Sequence, residues 1–301
     1  MNSTLLALVQ QTCDELMISR PTTVAGSTDP QIRQLLALLN RLGSDISRQF
    51  QWQRLNREHI ITTVAFDVVG DATAGSAVIS NIADTSGITT QFGVNGPGTV
   101  PFAQVISVGT NDVTLNMPMT ETLTGQSLNF SQVAYDLPSD WLSEIPQTEW
   151  DRTNRWPLLG PQSPQDWQSF KSGIVYAGPR QRFRIQENQI LINPPPPNGL
   201  MFSSEYISNG WVTNTVGQRI TRYVNDTDVA IFPDSLLITG LKSQWKAAKG
   251  LDGTFDISEF RLLLQTMKAQ DKSAPKLSLA PQPQSILLSI ANIQDGNWPG
   301  D

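Results

Sequence analysis

Thiol and imidazole chemistry are almost absent from this chain. Its 301 residues include one cysteine and one histidine. Cys13 has no second cysteine to pair with, so no intramolecular disulfide forms and the fold is built without redox help. It also falls on the apolar face of a helical pattern, which makes it a core residue rather than a nucleophile. His59 stands beside Arg57 and Glu58. It is the only imidazole available for general-base work, with no His or Cys set at metal spacing and no serine elbow flanked by glycines. No cofactor and no metal ion is expected. No apolar run approaches the length of a membrane span. The first 18 residues carry Asp14 and Glu15 and no basic leader, so the reading excludes a secretory signal and expects synthesis and folding in the cytoplasm.

Cations are missing from a long stretch. Between residues 60 and 151 there are ten acids and no Lys or Arg. The whole chain carries −6, so the remainder carries 21 bases against 17 acids, or +4. A segment without cations cannot hold phosphates by charge, which argues against a nucleic-acid-binding domain there. A conduit that lets DNA pass would tolerate the same surface. The glycines from 93 to 98 lack both a lysine and a following helix, so they are no phosphate loop.

Apolar content of 39% with 8% aromatics is globular, and the length is ample for a substantial core. The richest stretch is 136–173, which holds four of the eight tryptophans and five of the 20 prolines. Prolines interrupt any long helix while the indoles carry large apolar areas, so this stretch reads as an irregular, well-packed strap. Within it, Trp150-Asp151-Arg152-Thr153-Asn154-Arg155-Trp156 sets acids and guanidiniums between two indoles. Trp150, Arg152, Arg155 and Trp156 are candidates either to lock the strap or to face a partner.

The order Asp-Leu-Pro-Ser-Asp-Trp from 136, then Glu-Trp-Asp-Arg-Thr-Asn-Arg-Trp-Pro-Leu-Leu-Gly-Pro from 149, then Pro-Gln-Asp-Trp from 164, resembles the head-to-tail adaptor proteins of short-tailed bacteriophages. The likeness runs on through Arg182-Phe183-Arg184-Ile185 and the prolines after it to Lys249-Gly250-Leu251, about half of the chain counting the amino-terminal helices. It implies a structural virion protein, assembled in the host cytoplasm. Such a protein forms a ring of probable twelvefold symmetry with neighbouring copies, binds the portal protein and a tail nozzle or tube protein, and lets DNA through without specific contacts. It involves no membrane and no catalysis. The glycine-punctuated segments around 75–78, 92–99 and 123–125 also resemble a β module common in phage tail proteins.

In chain order, Leu5, Leu8, Val9, Thr12, Cys13 and Leu16 repeat at helical spacing with Ser3 as a cap candidate. Asp29-Pro30 starts a second helix, with Ile32, Leu35, Leu36, Leu39, Leu42, Ile46 and Phe50 on one face. From 60 the period becomes two, with candidate strands at 61–69, 75–82, 102–108, 113–117 and 126–130. Residues 182–186 and 189–193 flank a two-residue turn, and the prolines 194–197 form a spacer before a strand at 200–206. A helix begins near Pro233-Asp234-Ser235 and stops at Gly250. Asp256 is read as the cap of the last helix, with Glu259 as its reciprocal partner. The sequence from Asp252 to Phe260 imitates half of a calcium loop, but Ala248 and Gly250 supply no side-chain oxygen where the first ligands belong.

The expected class is therefore α+β. Residues 1–59 form the amino-terminal helices of a bundle, 60–135 an inserted small antiparallel β domain, and 136–270 the strap, hairpin and closing helices. Residues 271–301 form an extended tail, in which Ile286, Leu287, Leu288, Ile290, Ile293 and Trp298 are candidate anchors for the portal. Two other functions fit the residues: a tail tube or nozzle component, or a cell-wall hydrolase using Glu144 with Glu149 or Asp151.

Overall fold

The computed structural model describes residues 2–172 and 180–271. Helices α1 (Leu5–Leu16) and α2 (Pro30–Arg48) come first. Strands β1 (Asn56–Thr62), β2 (Ala65–Ala72), β3 (Val78–Ser80), β4 (Phe92–Asn95), β5 (Val105–Val108), β6 (Val113–Leu115) and β7 (Leu123–Gln132) follow. The Trp- and Pro-rich stretch and its approach contain β8 (Ala134–Asp136), β9 (Trp141–Glu144), β10 (Trp150–Asp151), β11 (Trp156–Pro157) and α3 (Pro164–Ser172). Next are β12 (Arg182–Gln186), β13 (Gln189–Asn193), β14 (Met201–Ser208), β15 (Val212–Thr213), β16 (Arg219–Ile220) and β17 (Val229–Ala230). Helices α4 (Asp234–Lys249) and α5 (Thr254–Asp271) complete the described chain.

This overturns the expected class. Among the described residues, 17 strands in four antiparallel sheets stand against five α-helices, so the protein is mostly β and not a helical bundle with a small β insert. Two physical causes produce the difference. Segments read as irregular satisfy their backbone groups in very short ladders: Trp150 pairs with Pro157 and Asp151 with Trp156. The helices, in turn, do not close on one another alone. Trp52, Trp211, Tyr223 and Phe232, all outside the α-helices, fill the middle of their core.

The chain divides into two compact units. Of the described residues, the first takes 2–57, 139–145 and 205–271, and the second 58–138 and 146–204.

In the first unit, α1 buries Leu5, Leu8, Val9, Thr12 and Cys13 on one face. Its cap is Thr4, whose hydroxyl accepts from the Ala7 N–H at 3.4 Å, while the Ser3 N–H donates to Asp234. Asp29 caps α2 through the Gln31 N–H at 2.8 Å, with Pro30 in the first turn, and Gly250 ends α4 at φ 70°. At α5 the expected cap by Asp256 does not form. Asp252 accepts from the Thr254 N–H and hydroxyl at 3.0 and 2.7 Å. Asp256 is instead buried and paired with Lys246 at 2.5 Å and Lys242 at 3.5 Å on α4.

The aromatic centre is held by specific bonds. The Trp211 indole N–H donates to the Thr221 carbonyl at 2.7 Å, and that of Trp52 to the Ile46 carbonyl at 2.8 Å. Trp211 meets Tyr223 edge to face at 5.2 Å, as Trp52 does Phe232. Gly43 in α2 makes this possible, because a Cβ there would lie 2.2 Å from the Trp211 ring. Strand β15 pairs with β16 and β17 beside this core.

The second unit contains a six-stranded sheet in the order β4-β7-β2-β3-β6-β5. Its inward residues include Ile79, Phe92, Val94, Val113, Leu115, Leu128 and Phe130, as the period of two requires. The turn between β5 and β6 closes with the Gly109 N–H on the Asp112 carbonyl at 2.8 Å. A three-stranded sheet, β12-β13-β8, lies in the same unit. Its hairpin turns at Glu187 and Asn188, whose φ values of 51° and 63° suit a two-residue turn that follows strand twist. No helix among the described residues is long and apolar enough to cross a membrane.

Candidate functional site

The four strap candidates meet at one tight hairpin. Trp150 on β10 and Trp156 on β11 are half-buried, and Arg152 and Arg155 are exposed in the turn between them. Asp151 shapes that turn. One of its oxygens accepts from the N–H groups of Thr153 and Asn154 at 2.9 and 3.0 Å, and the other from the Asn154 amide at 2.7 Å. Arg152 forms an ion pair with Glu58. The tail candidates Ile286, Leu287, Leu288, Ile290, Ile293 and Trp298 lie outside the described residues.

Of the three carboxylates weighed for hydrolysis, Glu144 ends β9 in the first unit, whereas Glu149 and Asp151 belong to the second. Asp151 is committed to its turn, and Glu149 is buried. Burial pushes the Glu149 pKa up against hydrogen bonds from its own N–H and those of Thr148 and Gln147. The Cys13 thiol is buried, and desolvation, with the charges of Asp14 and Asp29, raises its pKa to about 11, so it stays protonated at neutral pH. Among the described residues no group of three or more His, Cys, Asp or Glu side chains is placed to hold a metal ion.

The arrangement that stands out lies in the second unit, where α3, the β12–β13 hairpin and the edge of the six-stranded sheet enclose a cleft of about 390 Å³. Helix α3 is positioned by a reciprocal cap: the Ser163 hydroxyl accepts from the Asp166 N–H at 3.1 Å and donates to its carboxylate at 2.7 Å. Trp167 and Lys171, four residues apart, then fall on one face of the helix and both line the cleft. The Lys171 ammonium lies 5.8 Å from the Trp167 ring and 5.9 Å from that of Phe102. Below α3, the Phe170 ring meets Phe102 edge to face at 5.9 Å and carries the Arg182 guanidinium 4.5 Å above its centre.

The hairpin register supplies the opposite wall. Arg184 pairs with Leu191 and Gln186 with Gln189, and all four line the cleft. Asn95 and Gln104 contribute from the sheet and Gln168 from α3. Two cations thus face one space that no carboxylate lines among the described residues. Asp136, the carboxylate next to the hairpin, is occupied by the amides of Gln91 and Gln189 at 2.9 and 2.7 Å. Neither Lys171 nor Arg184 has an ion pair or hydrogen bond among the described residues. Burial, and after it the charge of Arg184, lowers the Lys171 pKa. A second hollow of about 490 Å³ shares Phe102, Gln168 and Lys171 with the first and continues past Pro101, Asn116 and Met117.

A contrasting cluster sits in the first unit around Asp140, which is 7% exposed. Its carboxylate accepts from the Tyr206 hydroxyl at 2.8 Å, the Ser208 hydroxyl at 2.7 Å and the Arg57 guanidinium at 3.0 Å. Burial pushes its pKa up, but the bonds from Ser208, Tyr206 and Arg57 outweigh it, and the net shift is downward. The Tyr206 ring stacks on Trp141 at 4.8 Å, so the cluster ties β9 to the end of β14.

Sequence reasoning did not single out Lys171 or Arg184 as a pair. The available signals were the Trp167/Lys171 spacing on a capped helix and the alternation of Arg182 and Arg184 on a strand. Neither reveals that helix and hairpin share a cleft. No protein-family model matches this chain, and a search of the curated proteins finds no match either.

Proposed function

We propose that this protein is a structural ring subunit, a head-to-tail adaptor that joins a phage portal to the tail around the DNA passage. The observation that carries the reading is a pair of large apolar side chains left exposed on α5. Phe255 and Leu262, two helical turns apart, are 79% and 65% exposed. Side chains of that size on one face of one helix fit a subunit contact that closes heterologously around an axis. The absence of Lys and Arg from residues 60–151 is compatible with DNA passing without being held.

The test is native mass, measured for the protein alone and after mixing with portal rings. Full-length chain, a version ending at Gln270 and the double variant Phe255→Ser/Leu262→Ser are compared. The reading expects a discrete ring complex with portal that the double variant fails to form, and that truncation weakens if the tail anchors it. A mass unchanged by portal overturns it. Assembly with tail tube or nozzle proteins alone favours the tube component instead.

A further inference from the structure

We propose that the cleft lined by Lys171 and Arg184 binds an acidic saccharide, a hydroxylated sugar unit bearing one carboxylate, with room for a second unit along the groove.

Three features of the cleft select this chemistry. The first is charge. Among the described residues, two half-buried cations face a space that no acid lines and neither has a counter-charge, in a chain whose net charge is −6. Holding like charges together in a partly desolvated site is unfavourable until an anion arrives, and a guanidinium beside an ammonium suits a carboxylate. The second is the excess of neutral hydrogen-bonding groups. Asn95, Gln104, Gln168, Gln186 and Gln189 outnumber the cations. Side-chain amides offer both a donor and an acceptor, which matches the hydroxyl groups of a sugar better than the bare oxygens of an inorganic anion. The third is shape. The cleft of about 390 Å³ continues into the hollow of about 490 Å³ through Lys171 and Gln168, so the cation stands at the junction of two adjoining spaces. The larger hollow of about 700 Å³ in the first unit, near Arg48 and Leu142, has a single cation and two lining amides, Gln49 and Gln51, against the two cations and the five amides just named.

The geometry assigns Arg184 and Lys171 to the carboxylate and the amides to the hydroxyls. Binding supplies the missing counter-charge, so the Lys171 pKa returns toward its ordinary value when the ligand is present.

The experiment is a titration of the full-length protein followed by amide NMR and calorimetry. The probes are sodium glucuronate, a digalacturonate, glucose and sodium sulfate. The expected result is saturable perturbation of amides in α3 and the β12–β13 hairpin by glucuronate, with tighter binding of the digalacturonate. Glucose and sulfate should bind at least tenfold more weakly. Lys171→Met and Arg184→Met should each weaken glucuronate by about tenfold or more, as for loss of a charge-assisted hydrogen bond. Lys249→Met, on a helix of the first unit, should leave binding unchanged. Sulfate binding as well as glucuronate overturns the saccharide assignment in favour of a generic oxyanion site. Equal binding of glucose overturns the role of the cations. Absence of perturbation in the unmodified protein overturns the site altogether, whatever the variants do.

Discussion

The Asp140 cluster of the first unit and the Lys171–Arg184 cleft of the second both gather polar side chains around charge, and they balance it in opposite ways. Asp140 receives three donors, one of them a guanidinium, and is almost sealed from solvent. Among the described residues the cleft holds two cations, no lining acid and open space. A buried charge whose every bond is satisfied holds strands together, because removing either side strands the other in a poor solvent. Half-buried cations that no described carboxylate pairs with cost the fold something and gain from a ligand.

That contrast can be broken first at Asp140. Asp140→Ala leaves Arg57, Tyr206 and Ser208 without their acceptor. Because the Arg57 side chain keeps 45% of its surface in solvent, the loss is expected at the low end for a buried pair, about 3 kcal/mol, read from denaturant midpoints. Asp140→Asn keeps the shape and is expected to cost about 1 to 2 kcal/mol. A cost no greater than that of an ordinary surface substitution would refute the locking role.

The packing of the first unit gives the next effect. Gly43→Ala places a methyl group against the Trp211 ring, where the indole is held by its bond to Thr221 and cannot easily retreat. A loss of about 3 kcal/mol or slightly less is expected from thermal or chemical unfolding, as for overpacking elsewhere.

Acid should next weaken the first unit. Asp140 and Asp256 both have folded pKa values below the ordinary 3.8, the first through Ser208, Tyr206 and Arg57 and the second through Lys246 and Lys242, in each case against burial. A group depressed in this way contributes its full stabilisation above the unfolded pKa and loses it as pH falls through the folded one. Unfolding free energy should therefore decline below about pH 4, and Asp140→Asn should flatten that decline. Parallel acid profiles for wild type and Asp140→Asn would contradict the assignment.

The smallest effect carries the opposite sign. Lys171→Met removes one of two like charges from a partly desolvated place, so stability should stay level or rise by up to about 0.5 kcal/mol. A clear loss would mean that Lys171 holds the fold together and would bring the two regions closer in kind.

Much of the local structure was legible in the residues. Asp29 followed by Pro30 starts α2, and Gly250 ends α4 in a left-handed turn that glycine adopts freely. The stripes of α1 and α2, the hairpin at Glu187-Asn188 and the turn at Gly109–Asp112 form where the spacing placed them. These signals act over one to four residues, within the reach of a single turn or pleat. The class was misjudged for the same reason. Two-residue strands such as β10 and β11 have no period to detect, and they exist only because a partner strand offers its backbone groups. At α5, Asp256 looked like a cap because sequence shows its type and not its burial against Lys242 and Lys246.

By itself, then, the sequence determined the start of α2, the end of α4, the apolar stripes of α1 and α2 and the hairpin turn at Glu187-Asn188, all of which follow from neighbours along the chain. Only the tertiary structure decided that Gly43 makes room for Trp211, that Arg57 meets Asp140 across 83 residues of chain, and that Lys171 and Arg184 face one cleft. Such meetings depend on register and packing among distant segments, and the free energy that fixes them belongs to the folded core rather than to any stretch of sequence.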